Sequence, residues 1–169
     1  KTGQSKVTQT ITLKDGVSTT ETVAYDDYLL PISSITDDSY TNHFNIQTTK
    51  YPTDASYIGD PVATLMRSRN MIAEPLETEE SENLNGTINI ISKQKNILAE
   101  FTGTNGRGLT DNILQSQIQI APNGNSLETR VEFTEYDTDG NPLEYKVDGV
   151  PTSVLWGYGG SSLVALIKN

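Results

Sequence analysis

Tyr136-Asp137-Thr138-Asp139-Gly140-Asn141-Pro142-Leu143, then Tyr145, then Asp148-Gly149-Val150-Pro151-Thr152-Ser153 and Trp156-Gly157-Tyr158, is the stretch that decides the fold class. Turn signals and strand signals alternate in it at close spacing. Gly140-Asn141 and Asp148-Gly149 are residues that accept a left-handed backbone, so each marks a turn. The aromatic residues between them suit pleated, half-buried surfaces. The stretch predicts short antiparallel hairpins following one another along the chain.

The same texture runs backward from there. Asn123-Gly124 closes a hairpin into Leu127–Tyr136. Strands are expected at Ile72 to Glu80, Leu84 to Ser92, Ile97 to Thr102 and Gln115 to Ala121, with Asn85-Gly86 as a turn or bulge. Gly103 to Thr110 is glycine-rich and polar and reads as a loop. A hairpin is expected from Leu30 to Thr49, its turn near Asp37 to Asn42, its strands holding Ile32, Ile35, Phe44 and Ile46, and Pro31 marking a strand start or an edge. At the N-terminal end, Val7, Ile11 and Leu13 alternate with threonine before Asp15-Gly16, and Val17, Thr19, Val23 and Tyr25 alternate after it. A two-residue loop there would pair Leu13 with Ser18 and put the apolar sets on opposite faces. A three-residue loop, Lys14 to Gly16, pairs Leu13 with Val17, and the apolar pattern favours it. No exact repeat of fixed length is visible, although strand, polar turn and strand recur.

One helix interrupts the strands. Asp60 is a good N-cap, and Pro61 suits the first helical position, where its missing N–H is not needed. Val62, Leu65, Met66 and Arg69 fall on one face at helical spacing, and the helix should stop near Asn70. Its expected role is to pack an apolar stripe on the sheet.

Composition bounds the function. The chain has 169 residues, enough for one domain and a real core. Only 34% of residues are hydrophobic, but 22 are threonine and eight are tyrosine, which agrees with strands. The net charge of −10 argues against nucleic acid and against adsorption to anionic lipid, since both need clustered Lys and Arg. No apolar run approaches the 18 residues of a membrane-spanning helix. Cysteine is absent, so disulfides and thiolate metal sites are unavailable. No signal peptide is visible and the chain opens and closes in mid-pattern, which predicts a fragment of something longer.

The residues that could carry chemistry have plainer readings. The acidic run Glu74, Glu77, Glu79, Glu80 and Glu82 reads as a solvated strand face and loop, with some repulsion between alternate positions. Asp137, Asp139 and Asn141 resemble the start of a calcium loop, but Pro142 and Asp148 stand where that motif needs glycine and glutamate, so they read as a turn. His43 is the single histidine and reads as a surface residue beside a turn, without the serine motif of a nucleophilic triad. A glycosidase-type carboxylate pair stays open, although no acid stands in an apolar setting that would raise its pKa. Gly103-Thr104-Asn105-Gly106-Arg107-Gly108 lacks the ending and the context of a phosphate loop. Asn85-Gly86-Thr87 is a formal glycosylation sequon of little weight. Tyr136, Tyr145, Trp156 and Tyr158 could form a sugar-stacking platform but read better as cross-strand packing.

The order of these motifs resembles the Rhs/YD-repeat proteins, and within them the large cell-surface members of the Bacteroidota. A tyrosine-aspartate pair, a short gap, Gly-Asn and an extended run make up the shared pattern, carried here by Tyr136, Asp137, Gly140 and Asn141, with Trp156, Gly157 and Tyr158 as the ending. Tyr51-Pro52-Thr53-Asp54, Asp60-Pro61 and Asn70-Met71-Ile72-Ala73-Glu74-Pro75-Leu76-Glu77 are similar to the segment before the final repeats, and Val164 to Asn169 to the closing strand. The resemblance covers residues 45 to 169; earlier there is only texture such as Tyr25-Asp26. It implies a single mainly β module of stacked antiparallel hairpins in a curved sheet or shell, with hairpins over 1–50, a short helix near 60–70 and repeat strands over 72–169. It implies a structural, non-catalytic role without cofactor or metal. It further implies secretion to the outer-membrane surface, by the type IX system in that phylum, with adhesion or gliding as the setting. The partners implied are the rest of a longer chain and outer-membrane export or surface proteins. Two other readings are carried: the shell of a toxin-delivery protein, and a carbohydrate-binding or enzymatic β domain, which would show an aromatic-lined cleft with converging carboxylates. A segment of open sheet exposes unpaired edges, so self-association is expected of the isolated chain.

Overall fold

In the computed structural model, which describes residues 6–38, 43–101 and 112–168, three hairpins close on two-residue turns with positive φ at both central residues. These are Asp15-Gly16 (51° and 81°), Asn85-Gly86 (53° and 88°) and Asp148-Gly149 (49° and 82°). That is the type I′ arrangement, whose twist matches the twist of the strands it joins. The turns connect β1 (Gln9–Lys14) to β2 (Val17–Tyr25), β5 (Glu77–Leu84) to β6 (Thr87–Phe101), and β9 (Pro142–Val147) to β10 (Val150–Gly157). The other strands are β3 (Pro31–Asp38), β4 (His43–Lys50), β7 (Asn112–Pro122), β8 (Glu128–Tyr136) and β11 (Ser162–Lys168). All eleven form one open antiparallel sheet in strict chain order, with β1 and β11 at its edges. The chain is mainly β with a single α-helix among the described residues, as the sequence predicts.

The register of the first hairpin corrects the expected three-residue loop. Leu13 pairs with Ser18 and Lys14 with Val17, so the turn holds two residues. The apolar pattern has no say here because β1 is exposed along its whole length; Ile11 and Leu13 are 64% and 73% exposed. With neither face buried, a slip carries no hydrophobic penalty and the turn geometry sets the register. In the second hairpin Pro31 opens β3 and both strands hold the expected apolar residues, and Ile35 pairs with Ile46; part of its turn lies outside the described residues.

Two strand boundaries differ from expectation. The predicted strand at Ile72 to Glu80 begins only at Glu77, because Ile72 to Pro75 form the turn that brings the chain back from the helix. The predicted strands at Leu84 to Ser92 and Ile97 to Thr102 are mostly one 15-residue strand, β6, which starts after the Asn85-Gly86 turn. Its polar centre, Ser92 to Asn96, looked like a break. It stays extended because it is paired on both sides: Glu79 stands opposite Lys93, Glu77 opposite Lys95, and Gln119 opposite Lys95 from the other flank. The expected loop at Gly103 to Thr110 lies outside the described residues.

The helix α1 (Pro61–Ser68) follows its sequence signals. Asp60 Oδ1 accepts the Ala63 N–H at 2.8 Å, Pro61 occupies the first turn, and Asn70 leaves the helical backbone with φ of 58°. The helix lies in the connection between β4 and β5 and rests on β6. Met66, fully buried, and Ala63 meet Leu76, Leu98 and Ile113, with Val62, Leu65, Tyr57 and Met71 packed around them. A second cluster joins Phe101 and Tyr136, flanked by Ala99, Leu114 and Phe133. The core is therefore two patches rather than the single large one that chain length allows. A one-layer sheet has nothing to bury its remaining surface against.

Candidate functional site

The motif residues Tyr136, Asp137, Gly140 and Asn141 build one loop, and each has a separate task. Tyr136 ends β8 and is buried. Its ring meets Phe101 edge-on at 4.8 Å and stacks on Phe133 at 6.0 Å, and its hydroxyl donates to the Gln115 carbonyl of β7 at 2.5 Å. Burial pushes its pKa up to about 12. Asp137 organises the turn. Its Oδ1 accepts the backbone N–H groups of Asp139 (2.9 Å) and Asn141 (2.8 Å), and its Oδ2 accepts Asn141 Nδ2 at 3.0 Å. Partial burial raises its pKa, and these hydrogen bonds outweigh that, holding the carboxylate below the ordinary aspartate range. Gly140 has φ of 85°, which a side chain would strain. Asn141 then reaches across to donate to the Gly160 carbonyl at 3.1 Å, tying this loop to the β10–β11 turn. Pro142 opens β9, and its carbonyl accepts Trp156 Nε1 of β10 at 2.8 Å.

The loop occurs twice. Tyr25-Asp26-Asp27-Tyr28-Leu29-Leu30-Pro31 repeats the backbone bonding of Tyr136 to Pro142, without the side-chain bonds of Asn141, whose place Leu30 takes. Asp26 Oδ1 accepts the N–H groups of Tyr28 (2.9 Å) and Leu30 (2.8 Å), two and four residues on, as Asp137 does. The backbone bonds correspond: Asp26 N–H to Leu30 O and Leu29 N–H to Asp26 O, against Asp137 N–H to Asn141 O and Gly140 N–H to Asp137 O. Tyrosine pairs with proline across a bulge in both, Tyr25 with Pro31 and Tyr136 with Pro142. In both, the tyrosine hydroxyl donates backward, here to the Val7 carbonyl at 2.9 Å. In both, the proline carbonyl accepts from an aromatic donor farther along the chain, Trp156 on the next strand in the later loop and the Tyr51 hydroxyl, just past β4, at 3.3 Å in this one. The device thus spans consecutive strands of the sheet. One difference stands out: Leu29 takes the glycine position, with φ of 71°, a conformation costing a non-glycine residue about 1–2 kcal/mol. Sequence reading saw Tyr25-Asp26 only as texture. The recurring signal is Tyr-Asp followed by four residues and proline.

Trp156, Gly157 and Tyr158 close the β10 ribbon. Gly157 has no room for a side chain, since an added Cβ would lie 2.6 Å from Val164 Cγ2. Tyr158 is 89% exposed and Tyr136 is buried, so the four aromatics considered as a stacking platform do not share one exposed face. Tyr145 instead packs on Phe133, ring centres 5.9 Å apart.

The acidic run is only in part the solvated face and loop expected: Glu74 and Glu80 are exposed, and Glu79 and Glu82 are half-buried. Glu77 is buried. Its Oε1 lies 2.6 Å from Lys50 Nζ of β4 and 3.1 Å from Lys93 Nζ of β6. Burial pushes the Glu77 carboxyl up, and the two lysines outweigh it, so its pKa falls below the ordinary range. Lys93 also reaches Glu79 at 3.8 Å, Glu80 accepts from the Ser92 hydroxyl, and Glu82 lies 3.3 Å from His43 Nε2. Basic and hydroxyl residues from β4 and β6 interleave with the acids of β5, which relieves the repulsion expected along one strand. His43, expected at the surface, is half-buried in this ladder.

One cleft has mixed chemistry. Asp26, Asp27, Tyr28, Ile32, Tyr51, Thr53 and Asp54 line an opening of about 170 Å³ beside the first of the two loops. Part of its lining is committed to the fold. Thr53 Oγ1 donates to Asp26 Oδ2 at 3.4 Å, and Asp54 Oδ1 accepts from Ser56 N–H and Oγ. Among the described residues no group of three or more His, Asp or Glu is placed to hold a metal ion, and no helix is long and apolar enough to cross a membrane. No protein-family model matches the chain, and no curated protein matches it.

Proposed function

We propose that the chain is a non-catalytic structural segment of a large secreted cell-surface protein of the Rhs/YD-repeat type. In this reading it is exported to the outer-membrane surface, through the type IX route, and serves adhesion or gliding. The observation that supports it is the twice-built Tyr-Asp loop. In each copy, the tyrosine hydroxyl donates to an earlier backbone carbonyl, aspartate shapes the turn, and the proline carbonyl accepts from an aromatic donor farther along the chain. Tyr136, Asp137, Asn141 and Trp156 are spent on shaping the loop and tying neighbouring hairpins together, while Tyr158 stands exposed. A repeating wall needs such groups, and a catalytic centre would leave some of them free to meet a substrate.

An antibody raised against residues 112–168 tests the proposal in cells that carry the protein. It should label intact cells, and a block in the type IX channel should abolish the labelling. Labelling only after permeabilisation would refute surface exposure.

A second reading, a carbohydrate-binding β domain, draws on the cleft at Tyr28 and Tyr51, where aromatic rings and carboxylates converge. A glycan array that loses its signals in Y28A would support it. An array without signal would remove it.

A further inference from the structure

Among the described residues, four turns place a glycine after Asp or Asn with positive φ at both residues: Asp15-Gly16, Asn85-Gly86, Asn123-Gly124 and Asp148-Gly149. Such pairs share a reactivity as well as a shape. With no side chain on the glycine to crowd it, the glycine nitrogen can reach the side-chain carbonyl carbon of the residue before it and close a five-membered imide. Asparagine does this at neutral pH because ammonia can leave. An ionised aspartate does not, because its carboxylate has no comparable leaving group, and Asp148 is further held by Arg130 at 3.0 Å. Two candidates remain, Asn85 and Asn123. Both are exposed, so access to water does not separate them.

The attacking nitrogen separates them. In the β5–β6 turn the Gly86 N–H donates to Asn83 Oδ1 at 2.8 Å. To attack, that nitrogen must shed the proton it shares with Asn83, and losing the hydrogen bond raises the barrier. The β7–β8 turn is bonded on either side of the corresponding group. Asn123 N–H donates to the Ile91 carbonyl of β6 at 2.7 Å, and Asn125 N–H to the Pro122 carbonyl at 3.1 Å. Among the described residues nothing accepts the Gly124 N–H between them.

We propose that Asn123 deamidates spontaneously in the folded chain and that Asn83 protects Asn85 from the same reaction. The Gly124 nitrogen gives its proton to a solvent base and bonds to Asn123 Cγ. The Cγ–Nδ2 bond breaks, and ammonia leaves with a proton taken from water. A water molecule then opens the imide at one of its two carbonyls, so the product is aspartate or isoaspartate. Either product adds a carboxylate to the opening that Glu82 already lines. Isoaspartate also inserts a methylene into the main chain between the two bonded N–H groups of residues 123 and 125, which strains the β7–β8 turn. The reaction needs only water and holds independently of the surface-wall reading.

Incubating the full chain in mildly alkaline buffer, with tryptic digestion at intervals, tests it. Mass spectrometry reads the gain of amide-to-acid conversion, and fragment spectra assign the residue. Asn85 and Asn123 fall in separate peptides, 70–93 and 108–130, and Asn105-Gly106, outside the described residues, falls in a third, 96–107. In the fold Asn123 should convert about three- to tenfold faster than Asn85, the effect of one hydrogen bond on a rate. In urea, where Asn83 is no longer held beside Gly86, the two rates should converge. N83A, its folding confirmed by circular dichroism, should bring Asn85 close to the Asn123 rate and leave Asn123 unchanged. The proposal is overturned if Asn85 converts as fast as Asn123 in the fold, if the difference persists in urea, if N83A leaves Asn85 as slow as before, or if Asn123 stays intact while the urea-treated chain converts. The native and urea rates of wild type decide the matter even if N83A fails to fold.

Discussion

Replacing Asp137 by alanine removes three hydrogen bonds at once: from Asp139 N–H, Asn141 N–H and Asn141 Nδ2, at 2.8–3.0 Å. A single side chain capping a turn in this way is worth about 0.5–2 kcal/mol, and bonds to a charged acceptor lie at the upper end. The loop is partly solvated, so water replaces some of what is lost. We expect D137A to cost about 2 kcal/mol, and D26A about the same, because Asp26 accepts the two equivalent backbone N–H groups and, in place of the third bond, the Thr53 hydroxyl. The two loops share no partners, so the double variant should show nearly the sum. The assay is urea unfolding followed by fluorescence of the single tryptophan. The midpoint should fall with an unchanged slope. Acid adds a check with a fixed sign. The folded pKa of Asp137 lies below its unfolded value, so its contribution is complete above about pH 4 and is lost as pH falls through the depressed value. D137A should therefore lose less stability than wild type in that window. A cost under about 0.5 kcal/mol for both D137A and D26A would refute the view that these aspartates hold the hairpins in place.

Three other perturbations follow from the same geometry. M66A opens a cavity where α1 meets β6 and should cost about 2–5 kcal/mol by calorimetry, the largest single loss among these variants. Y136F strands the Gln115 carbonyl and should cost about 1–2 kcal/mol. Because burial holds the Tyr136 pKa near 12, its contribution is full below its unfolded value and declines as pH rises towards that figure, so Y136F should blunt alkaline unfolding. E77Q breaks the contacts to Lys50 and Lys93 and should cost about 1–3 kcal/mol at neutral pH. The Glu77 pKa is depressed in the fold, so the deficit of E77Q should shrink as pH falls below the ordinary glutamate range, which a pH series of melting temperatures will show.

Local chemistry made much of the architecture legible. Asp-Gly and Asn-Gly pairs located the turns because few other residues accept two successive positive φ values. Asp60 and Pro61 located the helix because they satisfy, or do without, the donors of its first turn. The Tyr-Asp loop was legible at residue 136 and nearly invisible at residue 25, because Leu29 stands where Gly140 marks the turn in the other copy. The polar centre of β6 was misjudged for a related reason. Ser92 to Asn96 has no strand pattern of its own and is held extended by neighbours that the local sequence does not name.

What the sequence by itself determined is the sum of short-range preferences: strand after strand, where each turn falls, and one capped helix. Tertiary structure alone decided the pairing of Glu77 with two lysines from different strands and the link from Asn141 to Gly160. The physical reason is range. Backbone dihedral preferences act within a few residues and are written in the local residues. A cross-strand partner is fixed only when the whole sheet has assembled and each side chain meets what the neighbouring strands have placed beside it.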